Sequence, residues 1–291
     1  MASFRDRVLA VQKGRKTRLC VGIDPNRDKL PEHVDPDRAR SVLAFCLDIV
    51  KATAEFACAF ELNFGFLAAL NATEILPELI GEIQVKFKTP VIVDGKRGDI
   101  AASAKAYVAE MFKALGADAA TVNPYMGLDT LGPWLEYGPE CGIFVLARTS
   151  NPGAADYQDC TLSEPLHGFD GAEYSIKNPK LWQKVAVETA RQEQEGTANV
   201  GLVMGATKPQ EIASLVGFIP ETTTLLLPGI GKQGGDIVET VRHARHFQFL
   251  VNVSSAITHA SSQRSDFTTE AASAARRYRD AIEYALEVTV T

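Results

Sequence analysis

The sequence predicts an α/β fold of the (β/α)8, or TIM, barrel type, in a single domain spanning residues 1–291. Three observations predict it: short apolar segments alternate with longer segments of helical period, eight such pairs follow one another, and the apolar segments are continuous. Such alternation joins parallel strands by helical crossovers, and eight units close into a barrel whose strands are buried on both faces. A length of 291 residues is within the range of one such domain.

Each predicted strand is a short apolar segment rich in β-branched residues and followed by a turn or a helical segment. In chain order, strands are predicted at 18–24, 57–63, 90–94, 119–124, 142–147, 199–204, 223–228 and 247–252. The helical segments are longer and have apolar residues at helical spacing. Helices are predicted at about 36–56, 71–86, 101–116, 128–138, 179–195, 208–217, 235–245 and 267–287.

Glycine and proline support some of these boundaries. Gly116 and Gly217 stand where two helices would end, and Pro209 stands near the beginning of another. An open, doubly wound sheet is the alternative fold, but GIDPN at 22–26 lacks the GxGxxG fingerprint that usually follows its first strand. The polar, turn-rich stretch at about 150–178 is predicted to be a long loop over the barrel mouth.

Composition and charge exclude several classes of function. With 46% hydrophobic and 23% charged residues, the chain is typical of a globular protein. Its net charge of −6 offers no basic field for nucleic acid or for an anionic membrane. No apolar segment is long enough to span a bilayer, and the N-terminus lacks the apolar core of a signal peptide. Five cysteines without a CxxC pair indicate reduced thiols in a cytoplasmic protein.

In a barrel, catalytic groups lie at the carboxyl ends of the strands. The segment VIVDGKRGDIAAS at 91–103 places Asp94, Lys96 and Asp99 within six residues of one another after an apolar strand. If the strand persists, Asp94 and Lys96 share one side of it. Such a set can hold a charged lysine and deliver its proton to a forming carbanion. The alternative is a salt-bridged turn without catalytic function, and a single carboxylate after a strand is often a helix cap.

The motif VDGKRGDI also resembles the DxKxxDI signature of the orotidine 5′-phosphate decarboxylase family. Seven other segments occur in the order and at the spacing of the longer bacterial branch of that family: VGIDPN (21–26), FELNFGF (60–66), NPYMG (123–127), RTSNPG (148–153), VMGAT (203–207), LPGIGKQGGD (227–236) and VNVSSAI (251–257). The resemblance covers about residues 18–260.

The resemblance implies a homodimeric barrel that converts orotidine monophosphate (OMP) to UMP in de novo pyrimidine biosynthesis, with no cofactor or metal. By position, Lys96 would protonate the C6 carbanion, Asp94 would lie near the departing carboxylate, and Asp99 would enter the partner subunit's site. Asp24 would bind a ribose hydroxyl, Asn63 would line the ribose region, and Thr149 and Ser150 would contact the pyrimidine edge. Gln233 would bridge base and phosphate, and the phosphate loop would consist of Pro228, Gly229 and Gly231, with further phosphate contacts from Ser254 and Ser255. The remaining implied substrate-binding positions are Ile100, Ser103 and Gly234.

Two positions depart from the family pattern. Glu61 stands where the family has lysine at the end of strand two, and Ser255 stands where it has arginine after strand eight. The family's tetrad of two lysines and two aspartates is neutral, whereas Glu61, Asp94, Lys96 and Asp99 together carry a formal charge of −2. Protonation of a carboxyl group or binding of a cation would relieve this excess.

These departures leave two alternatives to an OMP decarboxylase impaired at Glu61 and Ser255. The first is a Mg²⁺-dependent decarboxylase or aldolase of a sugar phosphate, because a related branch on the same fold holds Mg²⁺ with a glutamate and an aspartate at the positions of Glu61 and Asp94. The second is a non-catalytic nucleotide-binding homologue. For the main hypothesis we expect weaker binding, because each charge-assisted hydrogen bond to phosphate typically contributes ~1.5–3 kcal/mol.

Overall fold

The computed structural model describes residues 2–169, 175–195, 199–231 and 234–290. Within these residues, eight parallel strands close into a barrel in the order β1-β2-β3-β4-β5-β8-β9-β10. The barrel strands are β1 (Leu19–Ile23), β2 (Ala59–Asn63), β3 (Val91–Arg97), β4 (Ala119–Val122), β5 (Gly142–Arg148), β8 (Asn199–Met204), β9 (Thr224–Pro228) and β10 (Gln248–Val253). The predicted fold class is confirmed, with each strand within a few residues of its predicted place.

Helices pack around the barrel. They are α1 (Phe4–Arg15), α2 (Ala39–Thr53), α3 (Phe64–Ala69), α4 (Leu76–Phe87), α5 (Ala101–Val108), α6 (Gly132–Leu135), α7 (Ala155–Gln158), α8 (Leu181–Glu195), α9 (Pro209–Ala213), α10 (Ile237–Ala244), α11 (Ser255–Thr258) and α12 (Phe267–Val290). Helix α5 continues as a π-helical turn over Ala109–Ala114. Each of the eight predicted helices overlaps one of these, although α9 is shorter than predicted.

Helix α1 is absent from the helices that the sequence predicted. Its aromatic residue Phe4 is buried and packs edge-on against Phe144 inside the barrel, with ring centroids 5.9 Å apart. Gly142 makes room for this ring, because a Cβ atom there would overlap it. At the other end of α1, Arg15 donates to the carbonyl groups of Ala54 and Ala57, each at 2.8 Å. The helix therefore closes the N-terminal end of the barrel, opposite the mouth.

The stretch predicted as a loop at 150–178 contains local structure. A 3₁₀ turn at Pro152–Ala154 leads into α7, and β6 (Leu166–His167) pairs antiparallel with β7 (Ser175–Ile176). Residues 170–174 lie outside the described residues. Across the described residues, no helix combines the length and apolarity that crossing a bilayer requires.

Candidate active site

A cavity of about 440 Å³ opens at the carboxyl ends of the strands. Each strand of the barrel lines its wall, either with one of its own residues or with a residue that directly follows it. Its polar lining is concentrated where the apolar strands end, as expected for a barrel. The lining residues are Asp24, Glu61, Asn63, Asp94, Lys96, Thr121, Leu146, Thr149, Ser150, Asn151, Val203, Leu226, Pro228, Gly229, Ile230, Asn252, Ser254, Ser255 and Ala256.

Asp94 and Lys96 form an ion pair at the end of β3. The Lys96 Nζ lies 2.7 Å from Asp94 Oδ1 and 2.5 Å from Oδ2. The pairing register with β4 shifts between Val93 and Arg97, and Lys96 has a φ of 45° in the left-handed region. Lys96 is therefore not a regular strand residue, and its backbone N–H donates to Thr121 Oγ1 at 2.9 Å. The irregular backbone fixes the ammonium beside the carboxylate of Asp94.

Two further side chains hold Asp94, which is only 7% exposed. Thr121 Oγ1 donates to Asp94 Oδ1 at 2.7 Å, and Asn63 Nδ2 donates to Oδ2 at 3.1 Å. A buried carboxylate with an ammonium, a hydroxyl and an amide as partners is well compensated. Its position is fixed from β2, β3 and β4 at once, which predefines the place of the Lys96 ammonium.

Glu61 lies on the neighbouring strand and is buried, with 6% of its surface exposed. Asn252 donates from its side-chain amide to Glu61. Burial raises the pKa of the Glu61 carboxyl well above its usual range, and the nearby charges of Asp94 and Asp24 raise it further against the opposing effects of Lys96 and Asn252. These surroundings favour the neutral acid, which relieves part of the excess negative charge that the sequence indicated.

Asp24 follows β1 and faces the same cavity. Burial raises the pKa of Asp24 to about 6, with a smaller contribution from the negative charge of Asp94. A hydrogen bond from Ser254 and the positive charge of Lys96 oppose this rise in pKa. Gly22 permits the approach of Ser254, since a Cβ atom at this glycine would collide with the serine side chain. The last strand and the first strand are thereby packed closely at the mouth.

The side of the cavity opposite the Asp94–Lys96 pair is built from the ends of β9 and β10. Pro228, Gly229, Ser254 and Ser255 line it, as the sequence predicted for phosphate binding. Gly229 has a φ of 108°, which glycine adopts without strain. Gln233, and Lys232 beside it, lie outside the described residues. Gly234 donates to the Gly231 carbonyl at 3.0 Å and does not line the cavity.

Comparison with known proteins agrees with this geometry. The family model described as "Orotidine 5'-phosphate decarboxylase / HUMPS family" matches residues 17–167. An orotidine 5′-phosphate decarboxylase of Aromatoleum aromaticum is 42% identical over 288 residues, covering 96% of this chain and 98% of the relative. The chain belongs to the orotidine 5′-phosphate decarboxylase family. A relative of that name from Roseiflexus is 39% identical and covers 98% of both chains.

Solved structures show the same relationship to the orotidine 5′-phosphate decarboxylase family. The OMP decarboxylase of Leishmania donovani has a TM-score of 0.72 and 30% sequence identity, and covers 96% of this chain and 100% of the other. A chain from Toxoplasma gondii has a TM-score of 0.83 at 26% identity, covering 98% and 97%. The predicted family is confirmed over nearly the whole chain.

Three of the residues that the decarboxylase resemblance implied lie outside the cavity of this chain. Asp99 accepts a hydrogen bond from the Ile100 backbone N–H at 2.8 Å. The Ile100 side chain is 56% exposed, and Ser103 is exposed in the first turn of α5. None of the three is part of the cavity wall. They lie in or just before the first turn of α5, outside the cavity wall.

Sequence reasoning missed Thr121, Asn151 and Asn252 as site residues. Asn252 ends the last strand, so the rule that selected Asp24 and Asn63 could have selected it. Thr121 gave no such signal, because a β-branched residue within an apolar strand is typical of strand packing. Only the shifted register of β3 brings the Thr121 hydroxyl to Asp94 and to the Lys96 N–H.

The magnesium alternative requires ligands around Glu61 and Asp94. Among residues 2–169, 175–195, 199–231 and 234–290, no group of three or more His, Cys, Asp or Glu side chains is arranged to hold a metal ion. Both oxygens of Asp94 contact the Lys96 ammonium, and Glu61 accepts from Asn252. The donor set therefore fits a lysine partner for Asp94 rather than a metal.

Proposed function

We propose that this chain decarboxylates OMP to UMP without a cofactor. The observation that carries the proposal is the Lys96 ammonium, held by Asp94 at 2.5–2.7 Å at the end of a cavity whose opposite wall is the β9–β10 loop pair. Decarboxylation of a pyrimidine leaves a carbanion, and a positioned ammonium beside it supplies both charge stabilisation and a proton.

In the proposed reaction, the bond between C6 and the carboxylate breaks and its electron pair stays on C6. A proton then moves from Lys96 Nζ to C6, giving CO2 and UMP, and the neutral amine regains a proton from water. Asp94 has two functions in this scheme. It orients the ammonium, and its fixed negative charge faces the substrate carboxylate, an interaction that is relieved as CO2 departs.

The remaining lining residues are proposed to bind the nucleotide away from C6. Asp24 and Asn63 lie where the ribose would pass between the two walls, and Ser254 and Ser255 lie on the proposed phosphate side. A serine hydroxyl is a neutral donor and binds phosphate less strongly than the arginine of the family pattern. Because remote phosphate binding supports the reacting end, we expect a raised KM and a lowered kcat relative to the family pattern.

A neutral Glu61 side chain would lower the negative charge of the cavity and so allow an anionic substrate to bind. If it were ionised, Glu61, Asp94 and Asp24 would present three carboxylates to a substrate that itself carries a carboxylate and a phosphate. Its burial and the Asn252 amide instead support a protonated side chain. We therefore propose that Glu61 replaces the family's lysine as a neutral hydrogen-bonding group.

We also propose a homodimer that joins two barrel mouths. Three large apolar side chains are exposed beside the mouth: Ile100 at 56%, Tyr125 at 81% and Met126 at 53%. The loops that carry them are packed together, since a Cβ atom at Gly98 would lie 3.0 Å from the Asn123 carbonyl oxygen. In the dimer, Asp99, Ile100 and Ser103 would reach the cavity of the partner subunit, which explains why they do not line their own.

The test is loss of OMP absorbance with the purified protein, measured in EDTA and again with added Mg²⁺. We expect turnover that is equal in both conditions and that falls by about a hundredfold or more in Lys96→Ala. Chelator-sensitive turnover of a sugar phosphate, with none of OMP, would support the magnesium alternative. Binding of UMP without turnover, in a folded protein, would support a nucleotide-binding homologue instead.

A further inference from the structure

The segment that follows β5 carries two cavity residues, Thr149 and Ser150, and returns along α7 to Asp159. If the proposed function holds, this segment faces the pyrimidine of the bound nucleotide, because it lies across the cavity from the ribose residues Asp24 and Asn63. The resemblance to the family assigned both Thr149 and Ser150 to the pyrimidine. Their hydrogen bonds in the structure distinguish the two.

Gln158 holds Thr149 by two hydrogen bonds, one to its backbone N–H and one to its side-chain hydroxyl. The Thr149 backbone N–H donates to Gln158 Oε1 at 3.0 Å, and Gln158 Nε2 donates to Thr149 Oγ1 at 2.7 Å. The same hydroxyl donates to Asn151 Oδ1 at 2.7 Å. A hydroxyl has one proton to donate, and here it is directed at Asn151. Thr149 is therefore engaged within the protein through its amide and through its hydroxyl.

Ser150 differs from its neighbour. Within the described residues, its hydroxyl makes no hydrogen bond, and the residue is half-buried in the cavity wall. Its backbone lies close to the end of β8, since a Cβ atom at Gly205 would be 3.0 Å from the Ser150 nitrogen. The Ser150 hydroxyl thus offers the cavity both a hydrogen-bond donor and an acceptor. The Ser150 backbone packs against the end of β8, and the preceding residue, Thr149, is bound by Gln158.

Ion pairs around the buried Arg148 fix Gln158 itself relative to the barrel. Arg148, at the end of β5, is buried and donates to Glu211 of α9 at 2.7 and 3.1 Å. Its Nη2 also lies 3.2 Å from Asp159, the residue next to Gln158, and Lys180 contacts Asp159 at 3.0 Å. These ion pairs join the two ends of the segment, residues 148 and 159. Because Arg148 itself is buried, separating it from Glu211 and Asp159 would leave an unpaired buried charge, so it holds both carboxylates firmly.

We propose that Gln158 is a positioning residue that fixes Ser150 against the pyrimidine edge of the nucleotide, so that Ser150 and not Thr149 contacts the base. Gln158 does so by binding the amide and the hydroxyl of Thr149, which sets the backbone of the next residue. Gln158 itself is not part of the cavity wall. Its effect is specific to ligands with a base, because the phosphate side of the cavity is built from β9 and β10.

The experiment compares binding of UMP with binding of ribose 5-phosphate, which lacks the base, by isothermal titration calorimetry. For Gln158→Ala and Ser150→Ala we expect UMP to bind about tenfold more weakly, the loss of about one well-placed hydrogen bond. We expect the affinity for ribose 5-phosphate to stay within about twofold. Gln158→Glu keeps the acceptor for the Thr149 backbone N–H but loses the donor to the Thr149 hydroxyl, so we expect a loss of UMP affinity smaller than that of Gln158→Ala.

Thr149→Val is the matched control. It removes the hydroxyl but keeps the hydrogen bond from the backbone N–H of residue 149 to Gln158, so we expect a smaller loss of UMP affinity than for Gln158→Ala. Combining Thr149→Val with Gln158→Ala should give no further loss beyond that of Gln158→Ala alone. A larger loss for Thr149→Val than for Gln158→Ala would overturn the inference, as would equal losses for both ligands. Wild-type protein that binds no UMP would refute the proposed function as well, whereas UMP binding unaffected by Gln158→Ala would refute this inference alone.

Discussion

Replacing Asp24 with asparagine should stabilise the fold at neutral pH while weakening substrate binding. Burial raises the pKa of Asp24 from its ordinary 3.8 to about 6. A carboxyl whose pKa is raised on folding makes the protein most stable below the unfolded value, and that stability is lost as the pH rises through the folded value. Above about pH 6, the folded protein therefore contains a buried carboxylate that the unfolded chain would solvate better.

The size of this effect follows from the difference between the two pKa values. At ~1.36 kcal/mol per pH unit, a pKa of about 6 in place of 3.8 corresponds to about 3 kcal/mol of stability lost between acidic and neutral pH. Asparagine has a similar shape, carries no charge at any pH and can still accept the hydrogen bond from Ser254. We expect Asp24→Asn to increase the free energy of unfolding at pH 7.5 by roughly 1–3 kcal/mol.

The assay is urea unfolding of the wild type and the variant at several pH values between 4 and 7.5. The difference in unfolding free energy should be close to zero at pH 4 and should increase with pH. At the same time, KM for OMP should rise, because the proposed ribose contact is changed. A difference that does not depend on pH, or a variant that is less stable than the wild type at pH 7.5, would refute the electrostatic reasoning.

Three further predictions concern the reacting end, the phosphate side and the base of the barrel. Lys96→Ala should lower kcat by about 10²–10⁴-fold, as expected for loss of a positioned proton donor, and unchanged turnover would refute its proposed function. Ser255→Arg should lower KM for OMP by roughly 10- to 100-fold by adding a charge-assisted hydrogen bond to phosphate, with Ser255→Ala as the uncharged control and steady-state kinetics as the measurement. Phe4→Ala should cost about 3 kcal/mol or more of unfolding free energy, because the ring fills the closed end of the barrel, and a thermal midpoint within a degree of the wild type would contradict this packing.

The two departures from the family pattern suggest how this site is adapted. Glu61 is buried beside Asn252 in surroundings that favour its neutral form, so the position contributes no positive charge and little negative charge. Ser255 leaves the phosphate side with serine hydroxyls and backbone groups. The pair proposed to act at C6, Asp94 and Lys96, matches the family motif, and Asn63 and Thr121 join it in one connected hydrogen-bonded group.

Much of the fold and the reacting pair could be predicted from the sequence. Continuous apolar strands alternating with amphipathic helices leave few arrangements that bury both faces of the strands, so a count of eight was enough to predict the barrel. The rule that polar residues at strand ends meet at the mouth was also sufficient to select Glu61, Asn63 and Asp94. The departures at Glu61 and Ser255 were visible in the sequence because they change the charge within otherwise matching motifs.

Other features depended on the tertiary structure. Helix α1 has little amphipathic character in its sequence, and its place is decided by the open end of the barrel that Phe4 fills. The approach of Thr121 to Lys96 depends on a register shift in β3, and the engagement of Thr149 by Gln158 depends on the return path of α7. The protonation of Glu61 depends on burial among carboxylates that are 33 or more residues away along the chain. The order of apolar, polar and charged residues along the chain determines the strands, the helices and the polar groups at the strand ends. Hydrogen-bond partners and burial are set only when distant segments pack together.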